Sequence, residues 1–309
     1  MLKAKRKVIS AKIESVYGTD IVPAVATDAM LVHNFSCTPK NLRYVERDPA
    51  LPYFGNGGMI KVGETMQMQF DIECAGAGGV AAVPKFAPLL RACALSETIT
   101  VTVGPVTYDP ITTAEESASI YFYWDGLLHK MLGGRGTIGW TFSAGTVPMK
   151  RFNFEGLYGG ISDVALPAPT LTGWQRPQAV NKANTTFSLH GFTAVLRELS
   201  VSQGNVMQYV NNPNSENIRF IDRKTRGSVT IELPTIAAKN FYSIIDAETI
   251  GALALVHGTT AGNKALFNAA QVQLTTPAFS EGDGTALLQM ALEFQPTVAG
   301  NNEFSYATQ

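Results

Sequence analysis

Residues 63–74 read GETMQMQFDIEC, and residues 226–234 read RGSVTIELP. In the first stretch Met66, Met68, Phe70 and Ile72 alternate with Gln67, Gln69, Asp71 and Glu73. In the second, Val229, Ile231 and Leu233 alternate with Ser228, Thr230 and Glu232. A period of two sends alternate side chains to opposite faces of a strand, so both stretches predict strands with one apolar and one polar face.

Working outward, each strand precedes a helix candidate, VPKFAPLLRACALSE (83–97) and TIAAKNFYSIIDAETIG (235–251), with Phe86 and Phe241 at equivalent places. Each helix precedes a hairpin. In the first copy SIYFYW and LLHKML flank Asp125-Gly126, a strong two-residue turn signal, and in the second ALALVHGTTAGNKALF carries a longer loop. The alternating stretches TIGWTF and QVQLTT follow, and each copy closes on a last strand. Those are KRFNFEG, with Phe152 and Phe154 inward, and TALLQMALEFQ, with Ala286, Leu288, Met290, Leu292 and Phe294 inward. Glu155 and Glu293 take the matching outward place. The chain therefore reads as an internal repeat. The expected organisation is a first domain over 1–161, a proline-rich linker over 162–186 and a second domain over 187–309. The first copy carries an additional segment at 97–118, expected to be an added strand pair or a surface decoration.

Residues 70–95, FDIECAGAGGVAAVPKFAPLLRACAL, raise a competing reading, because Gly76, Gly78 and Ala81 mimic the glycine turn that cradles a dinucleotide. A dinucleotide fold needs a parallel strand that is apolar on both faces, and MQMQFDIEC is polar on one. The second copy replaces the glycines with Leu233-Pro234-Thr235. A plain strand-to-helix turn is therefore expected, with no nucleotide, cofactor or metal. His33, His129, His190 and His257 have no metal-ligand spacing, those at 129 and 257 falling in or beside hairpins as ordinary exposed strand residues. Asp71 and Glu73 read as two solvated carboxylates rather than an acid–base pair. No nucleophile motif is present, so the chain is not expected to be an enzyme.

A net charge of -1 and a pI near 6.4 argue against gripping nucleic acid through its phosphates. Three cysteines, Cys37, Cys74 and Cys93, make neither a disulfide framework nor a zinc cage, which fits a reducing compartment. MLKAKRKVIS turns polar again at Lys12 and Glu14 without an apolar signal core, and no stretch is long enough to span a membrane. A protein made in a cytoplasm and not held in a membrane is the expectation.

Each copy also carries a long segment read as irregular, VERDPALPYFGNGGMIK (45–61) and VSQGNVMQYVNNPNSENIRF (201–220), mixing aromatic, Asn and Gly residues suited to contacts made on assembly.

AKIESVYGTDIVPA, VERDPALPYFGN, IYFYWDGLLHKMLGGRGTIGW, FEGLYG, TRGSVTIELP and LVHGTTAGN, in that order along nearly the whole chain, resemble the major tail tube protein of long-tailed non-contractile bacteriophages, in its two-domain form. The resemblance implies two tandem β-sandwich or split-barrel domains, each flanked by a short helix, with the inner sheets of neighbours joined into a barrel. It further implies homotrimeric, pseudo-hexameric rings stacked into the tail tube of a virion assembled in the host cytoplasm. A tape measure protein, a tail tip or distal tail protein and a tail terminator would be partners, and double-stranded DNA would pass through unbound at ejection. The lumen-facing candidates are then Gln67, Gln69, Asp71, Glu73, Ser228, Thr230 and Glu232. The ring-stacking candidates are Arg47, Asp48, Tyr53, Phe54, Tyr209, Asn211 and Asn212. Two other readings stay open: the inner tube of a contractile tail or secretion system, and a monomeric virion-decoration or carbohydrate-binding β-sandwich using Tyr121, Tyr123 and Trp124.

Overall fold

The computed structural model describes residues 2–101 and 104–309 and is mainly β, with antiparallel pairing between every named strand and its neighbours. The first half contains β1 (Lys7–Ile13), α1 (Val25–Asp28), β2 (Ala29–Met30), β3 (His33–Glu46), β4 (Met59–Glu73), α2 (Ala87–Arg91), β5 (Thr98–Ile99), β6 (Val106–Tyr108), β7 (Ala118–Trp124), β8 (Leu127–Ser143) and β9 (Met149–Asp163). The second contains β10 (Thr185–Leu189), β11 (Leu196–Ser202), β12 (Asn205–Asn212), β13 (Ser215–Arg223), β14 (Arg226–Glu232), α3 (Phe241–Asp246), β15 (Ile250–His257), β16 (Ala265–Gly282), β17 (Thr285–Phe294) and β18 (Ser305–Thr308).

Strand pairing runs β1-β7-β8-β9-β4-β3 in the first half and β10-β15-β16-β17-β14-β11 in the second, so the same connectivity occurs twice. The halves are also joined. The end of β8 pairs with β11, and β18 pairs with both β16 and β6. One hydrophobic core runs through both halves. Phe70 packs on Phe152 with ring centres 5.8 Å apart, and Trp140 on Phe267 at 5.2 Å.

Local chemistry explains much of this. Met66, Met68, Phe70 and Ile72 are buried, as are Val229 and Ile231, because alternation gives each strand one face for the core. Asp125 and Gly126 have φ of 40° and 116°, the left-handed pair that a tight hairpin turn requires. α2 and α3 are short helices inside the two expected segments, α1 lies outside both, and Phe86, just before α2, and Phe241, the first residue of α3, are both buried.

Four expectations need correction. LLHKML and TIGWTF are one strand, β8, because Gly133-Gly134 makes a bulge rather than a turn; a Cβ on Gly133 would lie 2.6 Å from the Tyr17 ring. ALF and QVQLTT likewise merge in β16. The segment 201–220 is mostly hairpin, β12 and β13, rather than irregular loop, and part of 45–61 extends β3 and β4. His129 and His257 are buried, the first stacked on Phe122 and the second bonded to Thr185 Oγ1 at 2.8 Å. The 97–118 segment supplies β5 and β6, which tie the first half to β18; its Thr102 and Val103 lie outside the described residues. Residues 164–184, between β9 and β10, contain neither helix nor strand, yet Val180 is buried and Trp174 packs on Phe86.

The glycine question resolves in geometry. β4 lies between antiparallel neighbours, and a Cβ on Gly76 would stand 2.2 Å from the carbonyl oxygen of Gly262. The Gly76 amide donates to Asn263 Oδ1 and the Gly78 amide to Gly262 O. These glycines let two backbones touch, and their amides are already used.

Candidate functional site: a polar sheet face spanning both halves

Residues directly opposite one another in antiparallel strands share a face. The register therefore traces rows of side chains across the sheet. One row runs Asp71, Arg151, Gly139, Ser202, Arg226, Glu293, Gln273, crossing from β4 through β9, β8, β11, β14 and β17 to β16. The next runs Glu73, Met149, Thr141, Ser200, Ser228, Ala291, Thr275. On the far side of Asp71, Gln69 stands opposite Ser36 and Asn153, and Gln67 opposite Thr38 and Glu155. Thr230 stands opposite Glu198 and Gln289, and Glu232 opposite Leu287. All seven candidates on the polar strand faces are thus brought onto one continuous sheet face, and the β8–β11 junction carries it from one half into the other.

Most of this face is hydroxyl and amide. Its charged residues are the carboxylates of Asp71, Glu73, Glu155, Glu198, Glu232 and Glu293, with Arg135 (opposite Glu155), Arg151 and Arg226 among them and Arg197 reaching Glu232 at 3.2 Å. Arg226 Nε lies 3.0 Å from Glu293, and Glu155 accepts from Thr65 Oγ1 at 2.9 Å. Asp71 is not the solvated carboxylate that alternation implies. It is 3 % exposed, accepting from Arg151 Nε at 2.8 Å and from Asn34 Nδ2 at 2.8 Å. The Arg151 guanidinium holds its carboxyl below the usual range against the opposing effect of burial. Gln67 and Gln69 are exposed, whereas Glu73, Ser228, Thr230 and Glu232 are half-buried. A shallow groove over Gly139, lined by Asp71, Arg151, Ser200 and Ser202, follows the junction.

Two long hairpin arms rise from the sheet at equivalent places. The first, β3 and β4, ends in a loop holding Arg47, Asp48, Tyr53 and Phe54, all exposed, and its shaft also exposes Tyr44, Val45, Met59 and Ile60. The second, β11 to β14, is held down. Ile218 N donates to Tyr17 Oη at 2.7 Å, and Arg135 Nη1 to Ile218 O at 2.9 Å. Tyr209 is accordingly a buried residue of β12, not a loop residue. Its ring lies under Arg43 at 4.7 Å, and its hydroxyl donates to Glu216. Asn211 bonds the Val62 carbonyl at 3.2 Å, so the second arm leans on the first. Asn212 stays exposed beside the turn.

Sequence reasoning missed Arg151, Ser200, Ser202 and Arg226 on the polar face. The alternation of β9 and β14 carried the signal for Arg151 and Arg226. Nothing local pairs β8 with β11. Among the described residues, no group of three or more His, Cys, Asp or Glu side chains is placed to hold a metal ion, and no helix is long and apolar enough to cross a membrane. No family model matches the chain, and comparison with curated proteins gives no match.

Proposed function

We propose that the chain is a structural virion protein that polymerises as stacked rings into the tail tube of a long-tailed, non-contractile phage, the conduit for double-stranded DNA. The observation that carries this reading is the single polar face that runs unbroken across both halves. A surface that a DNA duplex slides along must not trap phosphates, and hydroxyls and amides with carboxylates outnumbering arginines meet that requirement. A chain with two copies of one connectivity supplies two equivalent units, so three chains would make a pseudo-sixfold ring. No enzymatic step is assigned. Gln67, Gln69, Asp71, Glu73, Ser228, Thr230 and Glu232 would line the lumen, with Asp71 acting through Arg151. Arg47, Asp48, Tyr53 and Phe54 at the free tip of the first arm would reach the next ring, while Tyr209 and Asn211 would set the angle of the second arm. The tape measure protein, the tip and the terminator remain expected partners.

The test is negative-stain electron microscopy of the purified chain across a concentration series, with its solution mass. Rings or tubes with a central hole and a three-chain repeat are expected. A reconstruction that puts Gln67, Gln69 and Ser228 on the outer wall would overturn the lumen assignment. Tyr121 and Tyr123 are buried, and Lys7 covers Trp124 at 4.9 Å, so a carbohydrate-binding aromatic platform has no support at that place.

A further inference from the structure

The repeat makes the β8–β11 junction informative beyond itself, because each of its strands has a counterpart. By pairing order β8 corresponds to β16, and β11 to β3. Inside the chain Gly139, Trp140, Thr141, Phe142 and Ser143 pair with Ser202, Val201, Ser200, Leu199 and Glu198. The counterpart edges lack such a partner: among the described residues β3 pairs only with β4, and the end of β16 pairs only with β17.

The register gives the correspondence residue by residue. With Glu155 aligned on Glu293, as the repeat sets them, Lys150 falls on Leu288; Trp140 stands opposite the first and Phe279 opposite the second. Ser200 stands opposite Ser228, and Ser36 opposite Gln69, at the same step along β14 and β4. The 139–143 edge therefore maps onto 278–282, and Ser200, Val201 and Ser202 map onto Ser36, Cys37 and Thr38. Burial marks the difference. Trp140 is 0 % exposed, whereas Phe279 is 69 % exposed on a strand edge with open hydrogen-bonding groups. An unpaired edge carrying a large apolar side chain is an association site.

We propose that a second copy of the chain lays its β3 along the end of β16 and repeats the internal junction, so that Thr38, Cys37 and Ser36 of one copy stand opposite Ala278, Phe279 and Ser280 of the next. The partner, a second copy, is taken from the assembly reading above; the register comes from the internal junction. The proposed ladder is one bond shorter than the internal one. In the internal ladder Gln203 N donates to Ile138 O at 2.9 Å, one step beyond Ser202. The corresponding residue after Thr38 is Pro39, and Pro277 precedes Ala278. Pro39 has no N–H to donate, so the two prolines end the ladder there. Ser36, Thr38 and Ser280 fall on the polar face, which would then continue from copy to copy. The contact is head-to-tail, using two different edges, so it extends until a ring closes.

The test is disulfide trapping in the full chain carrying Cys37→Ser, with Ser36→Cys and Ser280→Cys, under mild oxidation at concentrations that assemble. Directly opposed Cβ atoms lie about 5 Å apart, close to disulfide reach, while a two-residue slip adds roughly 2–3 Å. The in-register pair is expected to give roughly tenfold more linked chains than Ser36→Cys with Gly282→Cys, in a ladder that stops at a closed ring. Equal linking of both pairs, or rings in the microscope with no linking of the first, overturns the register and leaves the assembly reading standing. A chain that neither links nor assembles at any concentration overturns both.

Discussion

Trp140 and Phe279 occupy the same step of the same strand in the two copies, yet one is sealed in the core and the other stands 69 % exposed. The copies share connectivity and differ in what lies across their edges. The first copy meets the second there, so Trp140 packs among Phe267, Phe304 and Tyr306. Other corresponding pairs differ as well. Lys150 is matched by Leu288, and the Asp71–Arg151 ion pair by Thr230 and Gln289. The two halves share the ladder, and neighbours decide which side chains a given rung carries.

The largest effect should come from the buried member of the first pair. Trp140→Ala removes a side chain wholly within the joint core and should cost about 3–5 kcal/mol, read by urea denaturation of the dilute chain. A cost below about 1 kcal/mol would mean that the two halves are not packed together through this residue.

The comparison also shows what local sequence can carry. Alternation at 66–73 and 228–232 is legible because one strand face contacts core and the other contacts water, whatever the partner strand. The turn at Asp125-Gly126 is legible for a similar reason, since its backbone requirement is local. The same signal stands at Asp283-Gly284, with φ of 52° and 71°, and closes β16 onto β17. The β12–β13 hairpin was not legible. Its Asn, Pro and Gly residues read as loop, and what anchors it are Tyr17 and Arg135, each more than eighty positions away. For the same reason the seven polar candidates could be assigned to a face but not joined. The joining rows pass through Ser200 and Ser202, whose place depends on a long-range ladder.

Lys150 sharpens the contrast next, being a lysine in the core where the second copy has leucine. It is 0 % exposed, with Nζ 3.3 Å from the centre of the Phe86 ring and 3.3 Å from Tyr306 Oη. Burial pushes its pKa down to about 8 against weaker support from Cys74 and Glu73. The unfolded chain holds this proton up to about pH 10.4, so between these values it binds more protons than the folded chain and stability rises with pH. The gain is complete above the upper value and is lost as pH falls through about 8. Lys150→Met should remove a slope of up to ~1.4 kcal/mol per pH unit over this window, measured against wild type by denaturant titration. Parallel curves would show that the amine is not buried as a titrating group.

A smaller effect is expected at the ion pair. Arg151→Ala leaves the Asp71 carboxylate, 3 % exposed in the intact chain, with Asn34 as its remaining side-chain partner, and should cost about 1–2 kcal/mol, reduced because the Arg151 side chain is 57 % exposed. Because the folded pKa of Asp71 is depressed, the pair's contribution is present above the ordinary carboxylate range and is lost as pH falls through the lower folded value. The variant should therefore show a shallower acid limb. Asp71→Thr with Arg151→Gln, which copies the second half, should recover most of the loss, since it leaves no carboxylate unpaired; a double variant worse than Arg151→Ala would show that the halves do not hold these positions equivalently.

The smallest effect on the isolated chain belongs to the exposed member of the first comparison, and it separates folding from association. Phe279→Glu should change the stability of the dilute chain by less than about 0.5 kcal/mol, because little surface is lost to the core. The same substitution puts a charge where the proposed ladder needs an apolar contact with Cys37 of the next copy, so rings and tubes should disappear from the concentration series. Normal tubes from this variant would mean that the edge is free for another reason. A drop in stability comparable with that of Trp140→Ala would mean that Phe279 is already covered within one chain, and the difference between the two copies would then lie elsewhere than at their edges.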